Sequence, residues 1–284
     1  MKIIKYFCEA IVVYLFFIIS KLIGLKLSRS LFSSIFKFVG PIVRSNNLIN
    51  KNLSRFSNSI SEKEKVKITS NMWANYGMTF IEYIFLKKFR KENEHMEIDG
   101  EETLKKIAAS DKPVIFVSGH FANFELMSME ITKKQIKLAT IYRPLNNFFL
   151  NPLMEYLRKK YICKNQIQKG RTGVKDCINF IKNNHSIALM IDQRVSEGDQ
   201  IKFFSEKALT TTLPAKLSLK FSLDIVPIFI ERKNSNFFKM KVFEPINNKK
   251  ISNKINTTKK LNEILEGMIV KNPNQWIWTH DRWK

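Results

Sequence analysis

A histidine and a glutamate five residues apart, His120 and Glu125, stand in the segment PVIFVSGHFANFEL. The apolar run 113–117 reads as a buried strand that ends in Ser118 and Gly119. His120 therefore falls at the carboxyl end of a strand, where open α/β sheets place their ligands. A spacing of five misses the three or four that share one helical face. The pair meets only if His120 lies in the strand-to-helix turn and Glu125 in the first turn of the following helix. A carboxylate on one imidazole nitrogen fixes the tautomer and raises basicity, which leaves the other nitrogen to take a proton. By spacing alone, such a pair is more often structural than catalytic.

Other residues carry chemistry at corresponding places. Arg143 follows the apolar run KLATIY, and its guanidinium fork matches phosphate oxygens. Asp192 and Gln193 follow SIALMI. The plain alternatives are a surface salt bridge for Arg143 and a helix cap or turn residue for Asp192. Ser118 lies outside any GxSxG pattern, so a serine hydrolase is not expected. Cys8, Cys163 and Cys177 are widely spaced without a CxxC pair, and the four histidines lack an HExxH helix. We therefore expect no disulfide framework, no metal site and no cofactor.

The elements that must position these groups begin near residue 60. Ser61 and Glu64 form a capping-box pattern ahead of a long amphipathic helix that runs through Phe80 and Ile84. After a polar break at 87–102, short apolar runs alternate with helical patterns. That alternation predicts an α/β fold with a mainly parallel central sheet flanked by helices. His95 and His185 read as solvated, and 247–260 as a solvated loop before the last helix. Trp276, Trp278 and Trp283 fit either interfacial anchors or core closure.

The N-terminus sets the compartment. Residues 10–19 are uninterrupted apolar, flanked by Glu9 and Lys21. About 20 residues of helix cross a hydrocarbon core, so the segment is just long enough to cross or to lie obliquely in one leaflet. We assign residues 1–28 to an uncleaved membrane anchor and 29–284 to a single domain, on the cytoplasmic side by the excess of cations after the anchor. Leu31, Ile35, Phe38 and Ile42 then form an apolar stripe suited to a membrane surface or to packing on the body. The formal net charge of +23 calls for anionic partners. No zinc-finger, basic-zipper or RNP-like pattern accompanies it, so no nucleic acid is expected.

A colinear series of blocks covering nearly the whole chain resembles the late acyltransferases of lipid A biosynthesis, within the lysophospholipid-acyltransferase-like superfamily. The series comprises NNLINKNL, the helix ending in Glu82, GHFANFE at 119–125, YRPLNN at 142–147, ALMIDQR at 188–194, FF with Ala208 and Thr210, IVP at 225–227, and the ending NPNQWIWTHDRWK. The resemblance implies that His120 is a general base partnered by Glu125. It also implies that Arg143 meets phosphate or developing negative charge, that Asp192 and Gln193 line the same cleft, and that Asn123 contacts substrate. The implied donor is an acyl carrier protein thioester, the acceptor an anionic lipid at the inner membrane. Ser205 and Leu213 stand where the family pattern leads us to expect glycines, which leaves acyl-chain selectivity open. Two rival readings are an acyltransferase for another glycolipid or lysophospholipid, and a non-enzymatic basic membrane-binding module.

Overall fold

The computed structural model describes residues 2–234 and 236–284. In chain order the elements are α1 (Lys2–Val43), α2 (Asn46–Phe56), α3 (Glu62–Glu82), α4 (Leu86–Lys91), β1 (Met96–Asp99), α5 (Glu101–Ser110), β2 (Ile115–Ser118) and α6 (Glu125–Lys133). They continue with β3 (Leu138–Tyr142), α7 (Asn151–Leu157), β4 (Asn165–Gln168), α8 (Arg171–Lys182), β5 (Ser186–Met190), β6 (Asp199–Phe203) and β7 (Glu206–Thr210). The last are α9 (Leu213–Phe221), β8 (Ile225–Arg232), β9 (Phe238–Val242) and α10 (Lys254–Lys271).

Seven strands form one sheet in the order β1-β9-β8-β2-β5-β3-β4, and β6 and β7 form a separate hairpin. Every pairing in the large sheet is parallel except β8 with β9. The mainly parallel α/β expectation is met. Alternate residues of β2 feed two cores on opposite faces, as the period of two requires. Ile115 and Val117 join the side chains of α2, α8, α9 and α10, while Phe116 joins those of α4, α5, α6 and α7.

Several local expectations are corrected. The polar break contains β1 and the start of α5, because β1 pairs with β9 at the sheet edge and needs only Ile98 and Met96 half-buried. His95 is buried, against the Phe89 ring and 3.4 Å from Glu130. His185 is half-buried, and its Nδ1 lies 2.8 Å from the Asn183 carbonyl. The stretch 247–260 is not a loop throughout: Asn253 accepts from the Asn256 amide and caps α10, whose first buried turn is Thr257, Thr258 and Leu261. All three C-terminal tryptophans are buried and close the core.

Helix α1 is bent by one residue. Gly24 takes φ 80° and ψ 169°, a region open essentially to glycine alone. In a straight helix Phe16 and Phe32 would lie about 24 Å apart along the axis. Their rings are 5.2 Å apart, and the Ser28 hydroxyl donates to the Ser20 carbonyl at 3.1 Å. The two arms therefore double back on each other as a helical hairpin. The second arm runs antiparallel along α3, with Arg29 bonded to Glu82 and Phe36 beside Tyr76. Gly77 permits the approach, since a Cβ there would sit 2.1 Å from the Phe32 carbonyl oxygen. Leu31, Phe38 and Ile42 remain exposed, so the stripe seen in the sequence faces away from the body.

Candidate active site

Strands β2 and β5 are neighbours, and their pairing continues past the sheet through the Ile191 amide to the Ser118 carbonyl, 2.8 Å. This brings Asp192 beside His120. Asp192 is buried, and His120 approaches it through both backbone and ring: the His120 amide donates to Oδ2 at 2.7 Å and Nδ1 stands 2.7 Å from Oδ1. The Trp276 indole donates to Oδ2 as well, 2.9 Å. Burial alone would raise this carboxyl, but the His120 ring and the hydrogen bonds from His120 and Trp276 outweigh it and hold it below the usual range. An ionised Asp192 assigns the proton to Nδ1 and leaves the Nε2 lone pair free. Gly119 makes the contact possible, since a Cβ there would meet Phe121, Leu265 and Asp192 Oδ2 at 2.8, 2.9 and 3.2 Å.

The turn after His120 is clamped from behind. Ala122 has φ 45°, and its carbonyl accepts from Thr79 Oγ1 at 2.9 Å and Asn75 Nδ2 at 3.3 Å. Asn123 is buried and donates to Glu82 Oε2 at 2.8 Å. Glu82 also receives Arg29 Nε and Arg232 Nη1, each at 2.6 Å. Asn123 thus points into this network and away from the open cleft, in place of the substrate contact expected of it.

Glu125 opens α6, but its hydrogen bonds go elsewhere than to His120. It accepts from the Tyr83 hydroxyl and from Arg158, whose Nη2 and Nε lie 2.7 and 2.9 Å from Oε1. The ring position expected for Glu125 is occupied by Asp192, because the adjacent strand β5 delivers a carboxylate there with no local bend. The Arg158 guanidinium, sandwiched near the Tyr83 and Tyr142 rings, draws Glu125 aside. Arg158 comes from the turn after α7, inside the run RKK, which has the look of an ordinary solvated face; no sequence signal distinguished it.

Two cavities meet at His120. One, of about 470 Å³, is lined by Glu125, Arg143, Arg158, Lys169, Gln193 and His280, together with exposed Arg44. Burial and the neighbouring Arg143 push the Lys169 ammonium down, and burial does the same to the His280 imidazole. The other, of about 350 Å³, is mainly apolar, lined by Val13, Phe17, Met72, Phe80, Leu150 and Met154. His120, Phe124, Arg158 and Gln193 line both. The structure thus brings His120, Glu125, Arg143 and Gln193 to one cleft, and sets Asp192 behind the ring. Arg143 and Gln193 form no side-chain hydrogen bond or ion pair among the described residues.

The model of the bacterial lipid A biosynthesis acyltransferases matches residues 1–284. The chain belongs to that family. The lipid A biosynthesis lauroyltransferase of Escherichia coli (strain K12) is 22% identical over 244 residues, covering 84% of this chain and 78% of that protein. The palmitoleoyltransferase of the same strain is 23% identical over 248 residues, 85% of this chain and 79% of its own. A lipid A biosynthesis acyltransferase of Shigella flexneri shows the same identity and coverage. The chain is an acyltransferase of lipid A modification, and its apolar N-terminal helix suits it to a membrane.

Proposed function

We propose that this family member transfers a fatty acyl group from the thioester of an acyl carrier protein to a hydroxyl of a lipid A precursor, at the cytoplasmic face of the inner membrane. The observation that carries the reading is the position of His120 at the seam of a cation-lined cavity and an apolar one, with its ring backed by a buried carboxylate. A phosphorylated acceptor suits the first cavity and an acyl chain the second. Their reacting ends then meet beside Nε2.

A lipid hydroxyl has a pKa far above 7 and attacks a thioester poorly unless a base takes its proton during attack. His120 Nε2 accepts that proton as the oxygen bonds to the thioester carbon. Collapse of the tetrahedral intermediate breaks the C–S bond, and the leaving thiolate recovers the proton from Nε2. A base so placed contributes on the order of 10²–10⁴-fold. Asp192 holds the ring and stabilises the imidazolium, the part first expected of Glu125. Glu125 instead fixes Arg158 at the cavity wall. The Phe121, Ala122, Leu126 and Met127 amides already donate to the Gly119, Gln275, Asn123 and Phe124 carbonyls, so the oxyanion falls to Gln193 and the Glu125 amide, which opens α6. Arg143 and Lys169 receive phosphate. The net charge of +23 favours an acidic carrier and an anionic acceptor alike.

The test is transfer of labelled acyl chain from acyl carrier protein to a Kdo-bearing lipid A precursor by wild type, His120→Ala, Glu125→Ala and Asp192→Asn. Wild-type transfer that collapses in His120→Ala at unchanged melting temperature is the expected result. Persistent transfer by His120→Ala overturns the mechanism. Transfer only to a lysophospholipid or another glycolipid leaves the chemistry and replaces the acceptor.

A further inference from the structure

The bent helix α1 meets the catalytic body along nearly its whole first arm. Near the start of the arm, Asn147 Nδ2 donates to the Tyr6 carbonyl at 2.8 Å, and the Phe7 and Phe149 rings lie 5.5 Å apart. Midway, Tyr14 donates to the Phe149 carbonyl and Phe17 packs on Phe80. Near its end, Lys21 Nζ donates to the Ile84 carbonyl at 3.2 Å. Tyr6 to Lys21 is about 22 Å of helix, most of the thickness of a hydrocarbon core. A helix that crossed the bilayer would separate these two ends onto opposite sides. Here both ends are tied to one body, and exposed Lys87 and Lys88 follow Ile84 closely. Spanning would draw that charged surface into hydrocarbon, where it is costly.

The outward face of both arms is apolar. Ile11, Leu15 and Leu22 on the first arm, and Leu31, Phe38 and Ile42 on the second, are exposed, Leu22 to 82% and Phe38 to 76%. Lys2, Lys5, Lys26, Lys37 and Arg44 flank these stripes with positive charge. A set of apolar stripes edged with cations fits the boundary between anionic headgroups and acyl chains. We infer that α1 is a monotopic device: the hairpin inserts into one leaflet of an anionic bilayer, and both its ends stay on the face where the catalytic body lies. The second arm ends at Val43, and the next residue, exposed Arg44, lines the polar cavity, which sets that cavity beside the same leaflet. The inference does not depend on the reaction proposed above, and its test reads no activity.

The experiment uses the full chain with Cys8→Ser and Lys2→Cys, mixed with preformed sealed phosphatidylethanolamine/phosphatidylglycerol vesicles and probed with a membrane-impermeant maleimide from outside. Cys163 and Cys177 are buried and do not compete. A second variant with Cys8→Ser and Lys259→Cys, on an exposed turn of α10, reports the outside catalytic body. The expected result is that both proteins pellet with the vesicles after a high-salt wash and that position 2 labels as completely as position 259. Protection of position 2 until detergent opens the vesicles would overturn the inference in favour of a spanning helix. Recovery of the protein in the washed supernatant would overturn it in favour of a hairpin that belongs to the soluble body.

Discussion

The two sides of the His120 ring are built on opposite terms. Behind it, Asp192 takes three hydrogen bonds in the buried interior, and Glu82 takes donors from Arg29, Arg232 and Asn123. In front, Arg143 and Gln193 have no side-chain partner among the described residues, and Lys169 lies near another cation. Both carboxylates have their donors without substrate, which is what fixed donors and a fixed base require. The front holds groups whose partners must arrive with the ligand. Position and recognition are thus divided between two sets of residues, and each set predicts a different kind of variant.

The largest effect tests the ring where the two sides meet. His120→Ala should lower kcat on the order of 10²–10⁴-fold, with the thermal midpoint little changed, because the ring faces the cavities and Asp192 keeps the Trp276 and backbone donors. Next is a change to the back. Glu82→Gln leaves Arg29 and Arg232 buried without their shared carboxylate, and breaking such a buried charge set costs about 3–5 kcal/mol. Urea denaturation should show that loss, and should show less for Glu125→Gln, whose carboxylate borders the open cavity. Equal losses would dissolve the distinction between back and front. On the front, Arg143→Ala should raise KM for the phosphorylated acceptor about tenfold, the worth of one charge-assisted hydrogen bond. Steady-state kinetics should find kcat and the denaturation midpoint close to wild type.

The same division explains what the sequence disclosed. The parallel sheet was legible because β2, β5 and β8 are short apolar runs between helical patterns, and His120 was legible because it ends one of them. The bracing of His120 was not. A contact between residues 72 positions apart depends on which strands are neighbours, and the order β8-β2-β5-β3 is not written in any local pattern. The family resemblance pointed to Glu125, near in sequence, whereas sheet adjacency favours Asp192. Arg158 and Lys169, and the buried role of Glu82, were hidden for a related reason: a charged residue looks the same on a solvated face, at a cavity wall and in a buried network until the fold places it. In the N-terminal helix hydropathy gave the apolar length, but only the backbone at Gly24 shows that the helix returns on itself.

The smallest effects are in pH, and here the two sides part in sign. Asp192 has a folded pKa below its unfolded value of about 3.9, so the unfolded chain binds more protons as acid is added. Its stabilisation is fully present above about pH 4 and is lost as pH falls through the folded value. Denaturation midpoints of wild type and Asp192→Asn should therefore differ at neutrality and draw together as pH falls below about 4. Lys169 on the front is a base whose folded pKa is lowered, by burial first and Arg143 second. Its charged form is disfavoured in the folded state, so it costs stability at neutral pH and ceases to do so as pH rises past the unfolded value of about 10.4. Lys169→Ala should be slightly more stable than wild type at pH 7, with the gap closing in alkali. Inorganic phosphate should close the same gap at pH 7 by adding a counter-charge in the cavity that Lys169 and Arg143 line. If phosphate leaves it unchanged while alkali removes it, the lysine is strained by its surroundings alone, and the front of the site owes its recognition of anions to Arg143.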